Sequence, residues 1–162
     1  MKCGCGSVMT TRKEPYKYDI SGLTGITLLN VPVHYCDACG ERGVSIPKIE
    51  ELHRLIAKAI IEKRERLVPS EVKFLRKYLG FSTADMGRYM GVRREHVSRW
   101  ESGEKRMSVP ADRLLRMIVA THEPVGDYSL ETLKEAATTA ASPMRRRFRV
   151  VSGDWRPEEA AA

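Results

Sequence analysis

The sequence predicts an α+β protein: a small N-terminal β domain folded around zinc, followed by an all-α domain built on a helix-turn-helix. Three observations carry that prediction. All four cysteines lie within the first 39 of 162 residues, as two close pairs. Short apolar runs broken by glycine lie between those pairs. From Pro47 onward, apolar residues recur at helical spacing instead. The expected organisation is a zinc-binding β domain over 1–45, a connecting helix over 46–68, a helix-turn-helix domain over 69–122, and a C-terminal helix and basic tail over 123–162.

The first element is the cysteine framework. Cys3 and Cys5 form one pair, Cys36 and Cys39 the other. Four thiolates at such spacing suit one tetrahedral zinc ion, with Zn–S near ~2.3 Å and sulfurs roughly 3.8 Å apart. CDACG turns sharply enough to aim both of its sulfurs at one centre, whereas Cys-Gly-Cys is one residue short of the usual spacer. No open ligand position is visible, so the expected metal is structural. Two other readings of these residues stand beside it: a redox dithiol at Cys36/Cys39, and His34 replacing one cysteine. Between the pairs, Tyr16–Ile20, Ile26–Val31 and Val33–Tyr35 read as strands, with turns at Gly22 and Gly25.

Pro47 is expected to open a helix running to about Leu67, with Ile49, Leu52, Leu55, Ile56, Ala59 and Ile60 as its apolar stripe. That stripe serves either as core contact or as a seam with a second copy. Pro69 then opens the bundle, whose first helix carries Val72, Leu75 and Leu79 and a later one Leu114, Leu115 and Ile118.

Phe81 to Gly103 reads as helix, turn, helix. Ser82 is the expected N-cap with Asp85 three positions on, Gly91 the turn, and Met86/Met90 and Val97/Trp100 the facing apolar pairs. Gly87 is small where a crossing helix would approach closely. The second helix displays Arg93, Arg94, Glu95, His96, Ser98 and Arg99, a polar, cationic surface suited to a major groove. An ordinary helical hairpin with a solvated face is the alternative, but cap, turn glycine and small residue all fall in register.

Beyond Pro124, Ser129–Ala141 reads as a helix ended by Pro143, and the last residues as disordered. Arg145, Arg146, Arg147 and Arg149 surround Phe148. They read either as a phosphate-gripping segment or as a basic strand covering the bundle, anchored by Phe148, Val150 and Trp155.

Charge is uneven along the chain. The net charge is +7, and residues 69–122 hold eleven Lys/Arg against six Asp/Glu, where a polyanion partner would need them. No apolar run approaches the ~20 residues of a membrane span. MKCGCGSVM lacks a signal peptide's apolar core. A cytoplasmic protein with no membrane association is expected. No His/Asp/Glu constellation at catalytic spacing is visible, so no enzyme is expected.

Two motifs resemble known families. GVRREHVSRWESG is similar to the Xre-family repressors, which implies a five-helix bundle, dimeric on DNA; Arg93 replaces the Ser or Thr that often caps the recognition helix there. MKCGCG, then NVPVHYCDACGE, then a helix-turn-helix resembles the MqsA antitoxins and their YgiT-type zinc fingers over about residues 1 to 120. That resemblance implies a type II antitoxin whose zinc domain neutralises a cognate toxin, a ribonuclease, and whose helix-turn-helix represses its operon at a palindromic double-stranded DNA operator. Arg99 matches the family's base-reading arginine, and Glu95 stands where the family has a base-reading asparagine. Thr83, Lys105 and Arg106 are expected at phosphates. A homodimer follows from physics too, because one short helix reads too few bases for useful specificity. The alternatives are a stand-alone zinc-containing repressor without a toxin, and an interaction protein that has lost DNA binding.

Overall fold

The computed structural model describes residues 1–123 and 127–159. Pro124, beyond which the sequence changes character, and the last three alanines lie outside them. The chain divides into two compact units: 1–19, 24–52 and 145–162 form one, and 20–23 with 53–144 the other. The class is α+β, as the sequence predicts.

The first unit is a sheet. Strand β1 (Thr10–Lys17) pairs antiparallel with β2 (Ile26–Tyr35), and β3 (Arg42–Val44) pairs with the end of β2. Two of the expected strands are therefore one. Pro32 does not break β2, because it falls between Leu29, where one neighbour's pairing stops, and Val33, where that of β3 starts. The first strand lies earlier than Tyr16–Ile20: Tyr18 is buried, but the chain then makes a single 3-10 turn over Asp19–Ser21.

The expected basic tail is a hairpin of this sheet. Strand β4 (Arg146–Val151) runs parallel to β2, and β5 (Asp154–Glu158) returns antiparallel to it. Ser152 and Gly153, both at positive φ, make the two-residue turn. Phe148, Val150 and Trp155 are buried, as anchors should be, and they belong to the sheet unit. The Trp155 indole N–H donates to the Pro47 carbonyl at 2.7 Å.

The chain passes into the second unit within helix α1 (Ile49–Glu62). Lys48 at φ +44° prevents the helix from starting at Pro47. Helices α2 (Pro69–Tyr78), α3 (Thr83–Met90), α4 (Arg94–Ser102) and α5 (Val109–His122) follow, then α6 (Leu130–Glu135). Four helices, not five, lie within 69–122. Helix α6 is shorter than the expected Ser129–Ala141, since Ala136 turns extended and Ala137 takes φ +60°.

A buried polar network holds the non-helical stretch between α1 and α2. Arg116 is fully buried and bonds Asp112 at 2.7 Å. It also donates to the carbonyls of Ile61 (3.2 Å), Lys63 and Glu65 (2.6 Å). Asp112 accepts the Leu67 N–H at 2.7 Å. Buried Glu71 pairs with Lys63 at 2.7 Å and accepts the Met144 N–H at 2.8 Å. The carbonyls that α1 would have satisfied by continuing to Leu67 are met by Arg116 instead.

Candidate metal centre and nucleic-acid interface

Cys3 and Cys5 sit on the N-terminal segment before β1; Cys36 and Cys39 sit in the turn between β2 and β3. All four sulfurs lie within 4.8 Å of one another. Across the pairs, Cys3 lies 3.4 Å from Cys39 and Cys5 lies 3.5 Å from Cys36, sulfur to sulfur. That is the spacing a tetrahedral thiolate site needs, roughly 3.8 Å between sulfurs. The one-residue spacer of Cys-Gly-Cys therefore meets it. Because every sulfur is this near to the other three, the four form one group rather than two separate pairs.

His34 is not part of the cluster. It is buried, and its two ring nitrogens meet the hydroxyls of Thr11 (2.8 Å) and Ser45 (2.7 Å). Its role is to join β1, β2 and the start of the segment after β3. Glu41, which carries no role in the sequence reading, lies against the centre: the Cys3 thiol donates to its carboxylate at 2.7 Å. That carboxylate raises the Cys3 thiol far above its usual range. The Ser7 N–H and hydroxyl hold Cys5 down at about 6. Glu41 stands in the CDACGE run that carries the family resemblance, but spacing alone does not show that its side chain turns back onto Cys3.

In the second unit, helix α3 starts as expected. The Ser82 hydroxyl accepts the Asp85 N–H at 3.0 Å and the Asp85 carboxylate accepts the Ser82 N–H at 2.9 Å, a reciprocal cap. Gly91 ends α3 at φ +68°. Met86, Met90, Val97 and Trp100 are all buried. Gly87 is small for a different reason than a crossing helix. A Cβ there would stand 2.7 Å from the Val92 carbonyl and 3.3 Å from the Arg94 N–H, so the approach is the turn's own backbone. Gly87→Ala is expected to cost about 1–3 kcal/mol and to displace α4 from α3. An unchanged denaturation midpoint would contradict this geometry.

Helix α4 presents Arg94, Glu95, Ser98 and Arg99 as one exposed face, and Arg93, its N-cap, makes no side-chain cap bond. Arg94 contacts Glu95 at 3.2 Å and Arg99 contacts Glu104 at 3.6 Å. Exposed pairs of this kind are worth little and exchange readily for another acceptor. Glu95 is held below the ordinary carboxylate range by its backbone N–H and then by Arg94, so it acts as an acceptor only. His96 differs from its neighbours. It is half-buried, and its Nδ1 is shielded with no hydrogen-bond partner among the described residues. Thr83 is half-buried at the start of α3; Lys105 and Arg106 are exposed after α4. Sequence reasoning missed Arg76 of α2, which holds the end of α4 by a two-pronged pair with Glu101, one arm at 3.0 Å, and donates to the Phe81 carbonyl at 2.8 Å.

Residues 1–125 match the family model described as the antitoxin component of the bacterial toxin–antitoxin system, MqsA. The chain belongs to the MqsA antitoxin family. No curated protein and no solved structure matches it. The matched span of this MqsA-family chain takes in the four-cysteine centre and the whole of α2 to α5, and it stops short of α6 and the β4–β5 hairpin. Among the described residues no helix is long and apolar enough to cross a membrane.

Proposed function

We propose that this MqsA-family antitoxin neutralises a ribonuclease toxin through its zinc-bearing sheet unit and represses its own operon as a homodimer in the cytoplasm. The observation that carries the reading is one family match spanning both a four-thiolate centre and a helix-turn-helix with an exposed polar face. Zinc fits the donor set, since four sulfurs with no oxygen or open position are its usual structural cage. It would be held by Cys3, Cys5, Cys36 and Cys39, where it supplies cross-linking and no catalysis. The protein is read as a regulator and not as an enzyme.

At the operator, Arg99 offers its fork to guanine O6 and N7. Glu95 has no donor with which to repeat asparagine's bidentate contact to adenine, but its carboxylate accepts from cytosine N4; the operator therefore differs from one read by asparagine. Arg93, Arg94 and Ser98 lie within reach of bases or phosphates, with His96 the most shielded of the group. Lys105, Arg106 and Thr83 position the duplex through phosphates and carry no sequence information. Arg99→Ala is expected to lose about 1–3 kcal/mol of operator affinity with the fold intact. Unchanged affinity for the operator would show that another residue reads it. A stand-alone repressor keeps every DNA contact but has no toxin, and co-expression separates the two.

A further inference from the structure

The sheet unit carries a cationic face that the helix-turn-helix reading leaves unused. Strand register aligns Lys17, Thr27, Arg147 and Glu158 side by side in one row, and Leu29, Arg149 and Arg156 in the next row on the same face. Strands lie ~4.8 Å apart and alternate residues ~6.7 Å apart, so the four cations share a field roughly 14 Å across. Lys17, Arg147, Arg149 and Arg156 are all exposed. The opposite face holds Ile26, Leu28, Phe148, Val150 and Trp155, all buried.

The carboxylates on this face are Glu158, shared by Arg149 at 2.8 Å and Arg147 at 3.9 Å, and Asp154, taken by Lys48. One glutamate does not neutralise four cations, and such exposed pairs trade freely for a phosphate. A stable protein interface would need an apolar or aromatic centre. In these two rows Leu29 is only 7% exposed and the rest is polar, so the face fits a phosphodiester backbone better than a protein surface.

We propose that β4 and β5 build a second, sequence-independent surface for the backbone of duplex DNA. It lies in the hairpin beyond the residues matched to the family. The choice of DNA over RNA rests on the helix-turn-helix reading; the surface itself does not.

The test compares the full-length zinc-loaded chain with R147Q/R149Q/R156Q and with the charge-keeping R147K/R149K/R156K. Binding of a short random-sequence duplex is measured between roughly 50 and 200 mM salt. The glutamine variant should lose at least about tenfold affinity at the lowest salt, and its salt slope should fall by about 2–3, close to 0.9 per cation. The lysine variant should keep the slope, which a merely structural role for the arginines would not predict. R147Q/R156Q, which leaves the Arg149–Glu158 pair in place, serves if the triple variant misfolds, and its slope should fall by about 2. An unchanged slope in the glutamine variants would overturn the proposal. So would a loss seen with single-stranded RNA and not with the duplex. The ratio of operator to random-duplex affinity should not change, because phosphate contacts carry no sequence information. A chain with no operator preference in any form would refute the helix-turn-helix reading and leave the slope result standing.

Discussion

Arg116→Ala should lower the stability of the helical unit by about 3–5 kcal/mol, the usual cost of stranding a buried charge. The side chain is fully buried, and its removal leaves Asp112 without its 2.7 Å partner. It also takes the guanidinium donor from the carbonyls of Lys63 and Glu65, while that of Ile61 keeps the Tyr128 hydroxyl at 3.0 Å. Apolar replacement of the pair, D112L/R116M, removes the stranded charge but still takes the donor from the Lys63 and Glu65 carbonyls and the acceptor from the Leu67 N–H. The double variant should therefore recover only part of the loss. Chemical denaturation with a probe in α5 measures both. An Arg116→Ala chain within 1 kcal/mol of the original, roughly the effect of an exposed pair, would contradict the buried network.

Cys36→Ser should release the metal and unravel the knuckle formed by residues 1–9 and 36–41. Structural zinc sites contribute about 10–16 kcal/mol of apparent binding energy, and such segments lose their fold without it. Around the centre, among the described residues, the buried cluster is Cys3, Met9 and Cys36. The sheet, however, has Tyr18, Ile26, Leu28, Val31, Val33, Phe148 and Trp155 buried. A sequence reading confined to residues 1–45 makes zinc the support of a whole small domain. With β4 and β5 contributing to the core, metal loss should free the knuckle while β2, β4 and β5 persist. Amide exchange resolves the two outcomes, and retained stoichiometric zinc in the variant would overturn the four-thiolate assignment. Acidification should act in the same direction, since metal-binding thiolates must be deprotonated.

What the sequence made legible was local. The Ser82/Asp85 cap, the Gly91 turn and the Met86/Met90 and Val97/Trp100 pairs each depend on residues within one or two helical turns, and each is present. The cysteine cluster was legible because few residue types bind zinc and their spacing limits the arrangement. Register over long separations was not. Pairing of β4 with β2 joins Ile26 to Arg146, across a gap that no periodicity reports. The sequence offered a basic strand anchored by Phe148, Val150 and Trp155, but neither the hairpin with its Ser-Gly turn nor its partner strand. Strand β1 was misplaced because it is an edge strand, exposed along most of its length, so it lacks the apolar alternation that marks strands. Helix α1 ends early because Arg116, far along the chain, offers its carbonyls a better arrangement than the last turn of a helix would.

The central claim is that this chain is the antidote of a toxin partner. The direct test is growth: the neighbouring gene is expressed alone, with this chain, and with its Cys36→Ser form. The antitoxin account predicts arrest by the neighbour alone, rescue by the intact chain with a stoichiometric complex on purification, and loss of rescue in the cysteine variant. A neighbour that is harmless, or arrest that the intact chain does not relieve while it still binds its own promoter, would contradict it and leave a zinc-stabilised repressor.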